Sequence, residues 1–172
     1  MKKTTLLLLF FFGSITFSHS QSGAWTWMSG SSAYSQGNFG IMGITSPANQ
    51  PPALYEACEW TDLQGRFWLY GGSAPGGDNL SLWMYDPISG LWTWMNGAST
   101  IGFSTPTFGA KGIPSTGVNP GSVGYGASSW VDKQGDLWLF GGSDYSDLWK
   151  YNVSTNMWTW MNGPGVKFAP DA

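Results

Sequence analysis

Short apolar runs whose side chains alternate between two faces recur along the chain, chiefly between residues 55 and 161. The runs are rich in Trp, Tyr, Phe and Leu, and they are bounded by Gly, Pro, Asn and Ser, as β-strands joined by turns are. No window keeps apolar residues at the helical spacing i, i+3, i+4, i+7. The pattern therefore predicts an all-β protein.

The same succession of predicted strands occurs twice along the chain. "WTDLQGRFWLYGG" begins at Trp60 and "WVDKQGDLWLFGG" at Trp130, and "LWMYDPISG" is matched by "LWKYNVSTN". A further motif occurs three times, as "AWTWMSG", "LWTWMNG" and "MWTWMNG", at spacings of 67 and 66 residues. Self-similarity at such a spacing predicts a repeat architecture.

Each repeat divides into four predicted strands. They span 55–60, 67–70, 82–85 and 91–95 in the first repeat, and 125–131, 137–140, 148–151 and 157–161 in the second. Alternation puts apolar residues on both faces of each sheet, since Trp138 and Phe140 oppose Leu137 and Leu139. We therefore expect each sheet to have a neighbour on either side.

The glycine pair after the second strand, the "LWxY" strand and the closing Trp resemble the kelch repeat. Residues 24–163 are similar to secreted bacterial kelch-type repeats of the galactose-oxidase central-domain kind, a resemblance that implies propeller blades. The repeat is 66 to 67 residues long rather than about 50. The resemblance implies a structural part for the repeated residues, which are Gly71, Gly72, Trp83, Trp92, Gly141, Gly142, Trp149 and Trp158.

The predicted fold is two four-stranded kelch-like propeller blades plus an extra N-terminal strand, which together make a partial β-propeller. The predicted boundaries are a signal peptide at 1–20, an orphan fourth strand at 21–30, blades at 31–97 and 98–163, and a C-terminal tail at 164–172. Propellers usually carry four to eight blades. Three explanations stay open: the opening part of a longer propeller, a ring closed with copies of itself, or a small two-sheet protein with imperfectly covered edges.

The N-terminus reads as a secretory signal peptide cleaved near Ser20, since "MKK" precedes an apolar run of 14 residues. This predicts a secreted, periplasmic or cell-surface protein with no membrane span after cleavage. Loss of Lys2 and Lys3 leaves five basic residues against ten acidic ones, so the mature chain carries a net charge of −5. An acidic chain without a basic cluster is not expected to bind nucleic acid.

Residues that carry catalysis are scarce. The single histidine, His19, lies in the predicted signal peptide, so we expect neither the copper chemistry of galactose oxidase nor a His-activated nucleophile. We predict no catalytic residue, no metal and no cofactor, and we interpret the single cysteine, Cys58, as a small buried apolar residue. Two carboxylates suffice for a glycosidase, but turn capping explains most Asp residues.

The long connections of an up-and-down meander share one end of the sheets, and we predict that this end binds the ligand. These connections span 31–54, 73–81, 98–124 and 143–147. The aromatic candidates in them are Tyr34, Phe103 and Tyr145. Phe39 and Phe108 also lie in these loops, but they repeat between blades, which favours a structural part.

The expected function is that of a secreted module that binds a protein or a glycan, or that serves in assembly. Its expected partners are such a ligand, further blades of the same protein, or copies of itself. The alternative is a non-catalytic portion of a larger secreted carbohydrate-active or oxidase-like enzyme.

Overall fold

The computed structural model describes residues 23–167, and these residues form nine β-strands and no helix. The strands are β1 (Cys58–Thr61), β2 (Phe67–Tyr70), β3 (Ser73–Ala74), β4 (Gly77–Asp86), β5 (Leu91–Gly102), β6 (Ser128–Val131), β7 (Leu137–Phe140), β8 (Leu148–Asn152) and β9 (Met157–Asn162). The predicted signal peptide at 1–20 and the end of the predicted tail lie outside the described residues.

The strands form two antiparallel sheets that correspond to the two repeats. The first sheet follows the order β1-β2-β4-β5, with the short β3 also paired to β4, and the second follows β6-β7-β8-β9. The prediction of an all-β, partial propeller-like fold is therefore confirmed.

The two sheets repeat each other in register. Trp60 lies opposite Trp68 in the first sheet, as Trp130 lies opposite Trp138 in the second. A register shift between the third and fourth strands also recurs. It lies immediately before Trp83 in the first sheet and immediately before Trp149 in the second. The sequence repeat is thus a repeat of backbone pairing.

The first sheet is longer than predicted. Its glycine pair and its third predicted strand are separated by four more residues than in the second repeat, nine at 73–81 against five at 143–147. The added residues fold back as β3 and the start of β4, and β5 continues beside them to Gly102. Parts of the predicted loops 73–81 and 98–124 are therefore strand.

The described part of the predicted orphan strand, residues 23–30, forms no strand. Residues 24–30 pair with no strand, and the side chain of Trp25 is fully exposed. The reason lies in the two sheets, because β5 and β9 already occupy the fourth-strand position of each.

One hydrophobic core fills the space between the two sheets. The first sheet contributes Cys58, Trp60, Trp68, Tyr70 and Leu82, and the second contributes Leu137, Leu139, Trp149, Tyr151 and Trp158. Burial raises the pKa of the Cys58 thiol to about 12, with a smaller contribution from the charge of Glu59. The thiol is thus protonated at neutral pH, in keeping with the interpretation of this cysteine as a buried apolar residue.

Hydrogen bonds fix the stacking of the sheets. The indole N–H of Trp60 donates to the backbone oxygen of Trp138 at 2.8 Å, and the hydroxyl of Ser129 donates to the backbone oxygen of Glu59 at 2.8 Å. Both bonds run from one sheet to the other, so they set the relative position of β1, β6 and β7.

The residues that make each repeat longer than about 50 residues form a loop. This loop packs on the sheet of its own repeat. The ring of Phe39 contacts Trp83 and Trp94, with centroids 5.0 and 5.3 Å apart. Phe108 contacts Trp149 and Trp160 in the second sheet in the same way. The two loop phenylalanines are therefore structural, as their repetition suggested.

An aspartate organises the tight turn between β1 and β2, and another organises the turn between β6 and β7. One oxygen of Asp62 accepts the backbone N–H groups of Gln64 and Arg66, and the other accepts the indole N–H of Trp68 and pairs with the Arg66 guanidinium at 2.7 Å. Asp132 accepts the same three kinds of bond, including one from Trp138. A carboxylate is needed here because its two oxygens must serve a turn and an indole at once.

Replacement of these aspartates is predicted to destabilise the two blades unequally. Asp62→Ala leaves the N–H of a buried indole without an acceptor, and we expect a loss of about 2 kcal/mol or more in the free energy of unfolding. Asp132→Ala is the matched control and is expected to cost less, because the side chain of Trp138 is partly exposed and water replaces the carboxylate. Urea denaturation of both variants measures the difference, and equal losses would contradict this explanation.

The same aspartates are predicted to make the fold sensitive to acid. Burial opposes ionisation of Asp62, but hydrogen bonds from Trp68, Arg66 and Gln64 outweigh it and lower the pKa below its ordinary 3.8. Their stabilisation is complete well above pH 3.8 and is lost as the pH falls through the lowered folded-state pKa. We expect the Tm to drop between pH 5 and pH 3, and to drop less in Asp62→Asn.

Candidate functional site

The long connections meet around an open cavity of about 520 Å³. Three of the four predicted loop segments reach it, since its lining comes from 73–78, 103–124 and 143–145, with Lys167 from the chain beyond β9. The volume is within the range of small-ligand sites. The cavity lies where the two sheets and their connecting loop come together.

Two of the three aromatic candidates line this cavity and one does not. Phe103 and Tyr145 are brought together there with two further aromatic residues, Tyr55 and Tyr125. Phe103 is 80% exposed, so its ring is accessible to a ligand. Tyr34 lies outside the cavity, where its hydroxyl is 3.5 Å from the backbone oxygen of Pro75.

A buried carboxylate lies in the wall of the cavity. Asp78, on β4, is 6% exposed, and its Oδ1 accepts the hydroxyl of Ser73 at 2.9 Å. Its Oδ2 accepts no hydrogen bond from residues 23–167, and no Lys or Arg in that range pairs with it. Asp78 therefore offers a free acceptor beside the aromatic rings.

Close approach of the connecting loop holds this carboxylate in place. A Cβ at Gly124 would lie 2.8 Å from Asp78 Oδ1 and 3.0 Å from Ser73 Oγ, so only glycine fits without displacing them. The N–H of Gly124 donates to Ser143 Oγ at 2.7 Å, which ties the two loops together. The cavity wall is thus built from both repeats.

The rim carries hydroxyls and one ion pair. Ser122 Oγ accepts the N–H of Ser104 at 2.8 Å. Lys167 lies 3.1 Å from Asp144, whose hydrogen bond and charge raise the lysine pKa above its ordinary value. Both of these charged side chains are largely exposed, so the pair contributes little to stability.

The repeated glycines have the backbone conformation that only glycine adopts freely. Gly71 and Gly72 have φ of 70° and 83°, and Gly141 and Gly142 have 75° and 93°. Gly72 also donates to the backbone oxygen of Val123 at 2.7 Å, which joins the end of β2 to the connecting loop. These glycines shape the approach to the cavity rather than line its centre.

The repeated tryptophans lie in the packed interior, with one exception. Trp83, Trp149 and Trp158 are buried, whereas Trp92 is partly exposed on the outer face of the first sheet. Trp92 occupies the position of Trp158, and the difference arises because no sheet within residues 23–167 covers that outer face.

No protein-family model matches the chain, and no curated protein matches it. Between residues 23 and 167 no helix has the length and apolar character needed to cross a membrane. Within the same range no group of three or more His, Cys, Asp or Glu is placed to hold a metal ion.

The sequence analysis missed Tyr55, Tyr125 and Asp78. The two tyrosines begin the segments that lead into β1 and β6, and their repetition is a signal that both contribute to the same end of the sheets. Asp78 directly follows the four added residues of the first repeat, "APGG", and it holds the position of Asp144 in the second repeat. The backbone N–H groups of the next residues, Asn79 and Tyr145, donate to Gly72 and Gly142 in the same way. Recurrence of this aspartate beside Tyr145 was the signal that could have identified it.

Proposed function

We propose that the chain is a secreted kelch-type propeller segment that binds a glycan in the cavity between its two sheets. The observation that carries this proposal is Asp78, a buried carboxylate with a free oxygen among four exposed or partly exposed aromatic rings. Glycine pairs with positive φ after the second strand of each sheet support the kelch-type relationship.

The chemistry of the cavity suits a sugar. A carboxylate oxygen and serine hydroxyls accept and donate hydrogen bonds to ligand hydroxyls, and aromatic rings contribute apolar faces at low cost in side-chain entropy. The concave shape favours a compact ligand over a flat protein surface, since small ligands are bound in clefts of this volume.

The proposed role is binding without turnover. Asp144, the second carboxylate at the cavity, is paired with Lys167 at its rim. With its single histidine at position 19, the remainder of the sequence offers no imidazole as a general base. The same cavity would serve equally in a free-standing module or within a larger secreted enzyme, and both forms require it to bind sugar.

Loss of the Asp78 charge is predicted to weaken glycan binding about 10- to 100-fold, since a hydrogen bond to a charged group contributes roughly 1.5–3 kcal/mol. The measurement is a glycan array with the purified chain, followed by calorimetry on the best ligand with Asp78→Asn. Phe103→Ala is expected to weaken binding several-fold through loss of an accessible ring.

Asp86→Asn is the matched control, because Asp86 lies at the tight turn between β4 and β5, at the opposite end of the sheets. It is expected to bind as the wild type does. Unchanged affinity in both cavity variants would refute the site, and binding to proteins but to no glycan would refute the ligand class. Hydrolysis of the bound glycan would refute a purely binding role.

A further inference from the structure

Each sheet has an outer face that nothing within residues 23–167 covers completely. We call the outer face of the first sheet the head face. It carries Glu59, Phe67, Leu69 and Trp92, which line a groove of about 450 Å³. On the second sheet the tail face carries Trp130, Trp138, Phe140 and Lys150. Apolar patches of this kind on a secreted protein mark interaction surfaces.

The exposed residues of the head face have buried counterparts inside the protein. Phe67 pairs with Thr61 as Leu137 pairs with Val131, so Phe67 and Leu137 hold the same position in the two sheets. Phe67 is 48% exposed and Leu137 is 0% exposed. The first sheet covers Leu137, whereas no other sheet within residues 23–167 covers Phe67.

Exposed residues of the tail face also have buried counterparts, and these lie on the first sheet. Phe140 and Trp130 are 45% and 44% exposed, and they hold the positions of Tyr70 and Trp60, which are 1% and 4% exposed. The head face therefore repeats the buried side of the second sheet, and the tail face repeats the buried side of the first.

From this correspondence we infer that the head face binds the tail face of a second copy of the chain. The contact between copies repeats the contact between the two sheets of one chain. The tail face of each copy thus remains free to bind the next, which makes the contact heterologous.

The internal contact supplies the pairing expected between copies. Within the chain the Trp60 indole donates to the Trp138 backbone oxygen. Its equivalent, the Trp130 indole, has no acceptor within residues 23–167, and between copies it would donate to the backbone oxygen of Trp68. In the same way the contact of Tyr70 with Trp158, with ring centroids 5.2 Å apart, becomes one of Phe140 with Trp92.

Charge also favours contact of unlike faces. Glu59 lies on the head face, whereas Lys150 on the tail face is paired with Asp136 at 3.1 Å and Lys133 lies in the turn at its edge. Two head faces would bring two Glu59 carboxylates together. Head-to-tail contact places opposite charges on the two partners.

A chain of such contacts closes when the blades complete a circle. Propellers usually close with four to eight blades, so copies that each supply the two described blades would close as a ring of two to four copies. The competing occupant of the head face is the chain's own segment at Trp27 and Met28, which borders it. This segment and the head face line one open groove of about 670 Å³, and Trp27 and Met28 are 69% and 71% exposed, so the segment does not fill the groove.

The test is the mass in solution of the purified chain after cleavage of the predicted signal peptide, measured by light scattering or sedimentation. We expect two to four times the mass of one mature chain, and 18.7 kDa is the mass of the uncleaved chain. Phe67→Glu on the head face and Phe140→Glu on the tail face are each expected to give monomers. An equimolar mixture of the two variants is expected to give a dimer. The intact tail face of Phe67→Glu binds the intact head face of Phe140→Glu, and the dimer does not grow because its two free faces are both substituted.

Ile88→Glu is the matched control, since Ile88 is an exposed apolar residue in the turn between β4 and β5 and lies on neither face. It is expected to keep the wild-type mass. Near-UV circular dichroism verifies that each variant is folded, and Trp130→Gln replaces Phe140→Glu if the latter is not. A monomeric wild type, as expected if the N-terminal segment or another protein covers the faces, would overturn the inference, as would a mixture that stays monomeric.

Discussion

The structure depends on the contact between the two sheets, because each sheet is apolar on both faces and burial of apolar surface between them stabilises the fold. Trp60, Trp68 and Tyr70 of one sheet meet Leu139, Tyr151 and Trp158 of the other in a single core. This contact decides which tryptophans are buried, where the connecting loop lies and where a cavity forms. Local strand propensity explains the strands, but burial between sheets explains why they take this arrangement.

The sequence predicted the parts of the fold that repeat. The bounds of β2 and β7 agree with the alternation of apolar residues, and glycine pairs with positive φ end both strands. Repetition works as a signal because a residue that packs between blades must recur in each blade. The all-β, two-unit arrangement could therefore be predicted before any contact was known.

The sequence-based prediction was wrong where one repeat departs from the other, and where strand pairing depends on a free sheet edge. The extension of β4 and β5 follows from four added residues, whose pairing with each other is not visible in a pattern of alternation. The segment at 24–30 carries the motif of a fourth strand, but a motif forms a strand only beside a free edge in the right place. β9 already occupies that place in the second sheet.

The candidate site depends on where equivalent loop positions lie relative to the two sheets. Phe39 and Phe108 pack on tryptophans, whereas Phe103, Tyr145 and the repeated tyrosines Tyr55 and Tyr125 line the cavity. Tyr34 holds the position of Phe103 in the first repeat but lies outside the cavity, because its loop is not the one that connects the two sheets. Asp78 was missed because an aspartate near glycines reads as a turn residue.

Head-to-tail assembly would give each chain one cavity of the observed kind and not two. A cavity between copies would take its first wall from the tail sheet, where the shorter segment 143–147 stands in place of 73–81. In that segment Asp144 holds the position of Asp78, but Asp144 is exposed and paired with Lys167, so the buried carboxylate with a free oxygen would be absent there. The repeated residues would then build every blade contact, while the difference between Asp78 and Asp144 would place a single buried, unpaired carboxylate in every two blades.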